Sequence, residues 1–136
     1  MRNVKHQKGI AVVEFALVLP ILIMLLFGII EFSLILYDKA VLTNASREGA
    51  RYGIVSQSPR VTIDEITAKV NAYCQNHMVT FGAQTDPVVN VTPGSNFGDP
   101  LTVTVTYSYG FLLLPNFVTA VTGPVNLTAT TVMRME

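Results

Sequence analysis

Residues 8–36 read KGIAVVEFALVLPILIMLLFGIIEFSLIL: a lysine, a glycine, then an apolar run broken by two acids, Glu14 and Glu31. From position 10 to 36 the run covers roughly 27 residues. As a helix rising about 1.5 Å per residue, it exceeds the roughly 20 residues that a bilayer core requires. A cleaved secretory signal has a shorter apolar core, about 7–15 residues, and a small-residue cleavage site after it. No such pattern follows here, so the run reads as a retained membrane anchor. Pro20 removes one backbone bond and tends to bend the helix, which membrane helices tolerate.

The flanks set the orientation. Arg2, Lys5 and Lys8 precede the run without an acid, and Asp38-Lys39 follows it nearly neutral. Positive flanks stay in the cytoplasm, which puts the remainder of the chain outside it. The 136 residues leave room for one small domain beside the anchor. Net formal charge is zero, so no large field draws nucleic acid or acidic substrates. The single Cys74 suits an extracytoplasmic domain without an internal disulfide and reads as a buried thiol on a helix face.

Beyond the bilayer the helical period continues through Glu31, Leu34, Ile35, Asp38, Val41, Leu42, Ala45 and Gly49. Ala45, Gly49 and Gly53 recur every fourth residue, a small-residue face that admits another backbone closely. Ser56 to Pro59 breaks the pattern. Thr62 and Glu65 then stand at capping-box spacing, opening a second helix over about 63–77 with Ile66, Val70, Tyr73, Cys74 and His77 on its apolar face. Residues 88–92, 101–109 and 125–135 read as strands. In the second, Leu101, Val103, Val105, Tyr107 and Tyr109 alternate with threonines and Ser108, the mark of a half-buried antiparallel strand. The expected fold is α+β: a long N-terminal transmembrane helix extending into a small domain, with a second helix packed on an antiparallel sheet. The expected divisions are a basic leader at 1–9, a membrane helix at 10–37, its extension at 38–56 and the domain at 57–136. Residues 111–118, FLLLPNFV, are too apolar for a free loop and read as a connection packed into the core, or as a patch for a membrane or partner.

Chemistry finds little support. The histidines are His6 in the leader and His77 on the helix, and neither CxxC, HExxH, G-x-S-x-G nor a phosphate loop occurs. The reading is of a protein that is no enzyme and takes no cofactor, metal, nucleic acid or small-molecule substrate.

Two blocks carry a resemblance. Lys8-Gly9-Ile10-Ala11-Val12-Val13-Glu14-Phe15 resembles the processing site of type IV pilin-like proteins, glycine, four residues, glutamate, then an aromatic. The resemblance implies cleavage between Gly9 and Ile10 by a prepilin peptidase, and it implies that Glu14 pairs with an amine during assembly. Asn44-Ala45-Ser46-Arg47-Glu48-Gly49-Ala50-Arg51-Tyr52-Gly53, with the run after Glu14 and the terminal Thr131-Val132-Met133-Arg134-Met135-Glu136, is similar to TadE-like proteins. That implies a pilin-like fold and a minor pseudopilin of a tight-adherence (Flp) pilus in the inner membrane. Its implied partners are lipid, the prepilin peptidase, other pilin-like subunits and inner-membrane assembly proteins.

Physics adds a use for the second block. Arg47 and Arg51 share a helical face, and Glu48 lies within reach of Arg51. Beside the flat strip of Ala45, Gly49 and Gly53 they suit docking on another helix or on the chain's own sheet. The competing reading is an unprocessed, signal-anchored binding module, indifferent to loss of Glu14.

Overall fold

The structure is a computed structural model and describes residues 4–56, 58–80, 85–111 and 123–136, with side chains described from Gly9 onward. Five elements follow in chain order: α1 (Val4–Gly53), α2 (Ile63–His77), β1 (Val88–Thr92), β2 (Pro100–Tyr109) and β3 (Val125–Arg134). The expected α+β fold is the one observed. The strands form one antiparallel sheet in the order β1-β2-β3, with Val91 opposite Val103 and Leu101 opposite Met133.

α1 is one helix of 50 residues that runs through Pro20 without a break. Over residues 10–30 every side chain is exposed except at Gly28, which is half-buried. The apolar surface has nothing of this domain to cover it. From Glu31 upward one face is buried, and Leu42, Ala45 and Ala50 enter the core. The upper part of the anchor helix is therefore also the central helix of the domain.

α2 begins where the spacing places it. Thr62 accepts a hydrogen bond from the Glu65 backbone N–H, and the Glu65 carboxylate accepts from the Thr62 backbone N–H at 2.8 Å. Both bonds satisfy donors that a helix start otherwise leaves open. The Thr62 backbone N–H and, more weakly, the Thr62 hydroxyl, which donates to the same carboxylate at 3.0 Å, hold the Glu65 carboxyl below its ordinary range. Ile66, Val70 and Cys74 are buried, and Tyr73 is partly so. His77 is a correction to the expected apolar face: its ring is exposed, stacked on Tyr73 at 4.3 Å. The buried stripe runs through Ile66, Val70 and Cys74 and on to Met78, so Tyr73 and His77 stand on its flank.

The apolar face of β2 is buried as its alternation predicts, and Leu127 and Ala129 of β3 join it. The opposite face is lined with threonines, two pairs of which bond across strands, Thr104 to Thr130 at 3.1 Å and Thr106 to Thr128 at 3.4 Å. Phe111 packs against the core, edge-on to Tyr109. The remainder of the apolar stretch at 112–118 lies outside the described residues.

Candidate membrane anchor and assembly surfaces

The small residues of α1 meet the chain's own domain. A methyl group placed on Gly49 would lie 2.4 Å from Val70 Cγ2. One placed on Gly53 would lie 2.6 Å from Ile66 Cδ1 and 2.7 Å from Leu101 Cδ2. These glycines, with buried Ala45, let α2 and β2 approach the helix backbone. Of the two partners left open by the sequence, the close contact is with the chain itself.

The charged residues of the same block point elsewhere. Arg47 and Arg51 are exposed. Arg51 donates to Glu48 through Nη2 at 2.8 Å and Nε at 3.2 Å, an exposed pair of the kind that contributes little to stability. Tyr52 stands beside them, with the Lys69 ammonium 5.9 Å above its ring.

At the far end of α1, Gly9, Ile10 and Glu14 are all exposed on the helix surface. Among the described residues no side chain forms an ion pair with Glu14. Glu14 lies about 45 Å along the helix from Ala45, so the two blocks form separate surfaces.

Between them lies a junction whose partners sequence reasoning missed. Glu31 is 1% exposed and accepts a hydrogen bond from the Tyr109 hydroxyl at 2.7 Å. Asp38, two turns on, is fully buried, and its Oδ1 accepts from the Val79 backbone N–H at 3.2 Å. Its Oδ2 has no hydrogen-bond partner among the described residues. Burial pushes the Asp38 carboxyl up, against the lowering effect of the Val79 bond. Burial and the Glu31 carboxylate push the Tyr109 phenol well above its ordinary range. The Cys74 thiol is raised to about 11 by burial and by the Asp38 and Asp86 carboxylates. Tyr37 adds a bond to the end of α2, its hydroxyl donating to the His77 carbonyl at 3.0 Å. The signal in the sequence was two acids seven apart on the buried stripe.

Residues 9–51 match the family of TadE-like proteins. The match covers less than half of the 136 residues and shows a likeness over the helix. No curated protein and no solved structure matches the chain. The TadE-like stretch opens at Gly9 and closes at Arg51, so it takes in Glu14, Glu31, Asp38 and the Arg-Glu-Gly-Ala-Arg block but leaves out α2 and the sheet. Its helix is long and apolar enough to cross a membrane, and none of the apolar window is buried in the domain. The TadE-like helix marks a membrane-anchored protein.

Proposed function

We propose that this protein is a minor pilin-like component for assembly of a tight-adherence (Flp) type pilus, cut between Gly9 and Ile10 by a prepilin peptidase. The observation that carries the reading is the position of Glu14. It is an acid on a bare apolar helix, and a charge held in hydrocarbon is costly unless it is paired. Cleavage leaves a positive amine on Ile10, one helical turn from Glu14. That amine, or the one on a neighbouring copy, offsets the cost of the carboxylate. A helix starting at Ile10 also places the acid in its first turns, where the helix dipole favours negative charge. The TadE-like match, which begins at Gly9, supports the same junction.

The length of the bare helix fits an anchor cut there. Residues 10–30 rise about 31 Å, close to the roughly 30 Å of a bilayer core. The hydrocarbon segment in this reading is 10–30, and the buried acids Glu31 and Asp38 lie above it under the cover of the domain. The leader faces the cytoplasm and the domain the periplasm, with the inner membrane between.

The deciding experiment is the intact mass and N-terminal sequence of the protein from membranes of its native host, with and without the prepilin peptidase. A chain starting at Ile10 only when the peptidase is present is the expected result. A chain that keeps residues 1–9 in both strains, and an assembly unaffected by Glu14→Ala, would overturn the reading in favour of an unprocessed anchored module.

A further inference from the structure

The most exposed large apolar side chain among the described residues is outside the bare helix. Phe97, in the loop joining β1 to β2, is 83% exposed. A single exposed aromatic is ordinary on a protein surface. This one is mounted on a rigid support. The Asp99 carboxylate accepts from the backbone N–H groups of Ser95 at 3.0 Å and Asn96 at 2.7 Å. The Gly98 N–H donates to the Met135 carbonyl, and the Met135 N–H donates to the Asp99 carbonyl, both at 2.9 Å. Gly98 has φ +83°, a conformation glycine adopts without strain. Gly94 packs so tightly that a methyl group there would lie 2.5 Å from Asp99 Cβ. The loop is thus ordered before anything binds, and the entropy normally lost on ordering a contact loop is already spent.

The same end of the molecule carries an open cleft of about 200 Å³ lined by Glu48, Arg51, Tyr52, Val55 and Lys69. Its volume exceeds that of a cavity of about 150 Å³ that admits benzene, so an aromatic ring is within its size. Tyr52 supplies a ring for stacking, Val55 an apolar wall, and Lys69 a cation already placed over an aromatic face. The Phe97 of the same chain does not fill it, since that ring is exposed.

Knob and cleft also stand at one height. The Phe97 loop is bonded to Met135, and the next residue, Glu136, donates its backbone N–H to the Ile54 carbonyl at the end of α1. The cleft is built on Tyr52 and Val55, from the same turns of that helix. Copies anchored by parallel α1 helices in one membrane hold both features at the same distance from the bilayer.

We propose that Phe97 of one copy seats in the Tyr52–Val55–Lys69 cleft of a second copy of this chain. The two surfaces differ, so the contact is heterologous and leaves a free knob and a free cleft to extend a row. Phe97 is its aromatic anchor. The height argument rests on membrane anchoring and is independent of processing at Gly9.

The test uses the full chain in membranes, in a Cys74→Ala background, as two differently tagged versions that keep Phe97 and carry Asn96→Cys beside the knob or Val55→Cys in the cleft. Mild oxidation is expected to give a mixed disulfide between the tags about tenfold above either same-residue pair. Energy transfer between labelled copies in lipid nanodiscs should fall to the random level with Phe97→Ala and persist with Phe97→Tyr. Circular dichroism of each variant checks the fold. Equal yields for mixed and same-residue pairs, a preference for 96–96 pairing, or capture of a different protein by Asn96→Cys would each overturn the proposal. So would absence of the chain from the membrane fraction, a failure of anchoring seen before any cross-link is scored.

Discussion

The Tyr109 hydroxyl donates to the buried Glu31 carboxylate at 2.7 Å, tying the last residue of β2 to the level at which the helix leaves its bare segment. The bond closes the lower end of the domain, while Gly53 and Leu101 close the upper end. β2 therefore runs back down the helix from its distal end toward the membrane side.

Replacing Tyr109 by Phe keeps the ring and removes the donor. A hydrogen bond to a charged group contributes about 1.5–3 kcal/mol. Chemical denaturation of the detergent-solubilised full chain, followed by near-ultraviolet dichroism, should show a loss of that size. A change below about 0.5 kcal/mol would mean that the bond does not hold the domain to the helix.

Gly49→Ala tests the close approach of α2. The added methyl meets Val70, a stiff β-branched side chain, 2.4 Å away. Overpacking costs about 1–3 kcal/mol, against a gain of ~1 kcal/mol from helix propensity. A net loss of up to about 2 kcal/mol is expected, with partial recovery when Val70→Ala is combined with it, as a double-mutant cycle would read.

Asp38 fixes the sign of a pH dependence. Its folded carboxyl is raised above the ordinary value of 3.8, so the folded state holds its proton to higher pH than the unfolded chain does. The stability contributed by the neutral acid is fully present below that ordinary value and is lost as pH rises through the folded one. Asp38→Asn keeps an acceptor for the Val79 N–H and carries no charge. It should raise stability at neutral pH and flatten the slope above pH 3.8. Glu65, whose carboxyl is lowered, contributes the opposite slope below its ordinary value of 4.5.

Cys74 should be inert while the domain is folded. It is 1% exposed and its thiol is pushed up to about 11, so both access and thiolate fraction are small at pH 8. Labelling by a soluble disulfide reagent is expected to run about a hundredfold or more slower than in denaturant. Comparable rates in the two conditions would show that the α2–helix interface opens readily.

The parts of this fold that were legible in the sequence are those set by local periodicity. The Thr62–Glu65 spacing placed the start of α2, the alternation from Leu101 to Tyr109 placed the core face of β2, and the every-fourth-residue pattern of Ala45, Gly49 and Gly53 marked a close contact. Periodicity reports which face is buried and says nothing of what buries it. The pairing of Glu31 with Tyr109, 78 residues apart, and of Asp38 with the Val79 N–H therefore required the tertiary structure. His77 falls off the apolar face because the buried stripe steps by four through Ile66, Val70, Cys74 and Met78, which leaves Tyr73 and His77 on its flank. Phe97 gave no signal, since a single aromatic in a turn-rich stretch has no period.

An unbroken α1 makes the anchor and the domain one shaft in torsion as well as in length. The azimuth of the Phe97 loop around the membrane normal is set by the rotation of the buried half of the same helix. One residue inserted between Gly28 and Glu31 would turn the domain by about 100° against the face that residues 10–28 present to lipid or to a neighbour. Register along this helix thus fixes which way the molecule looks.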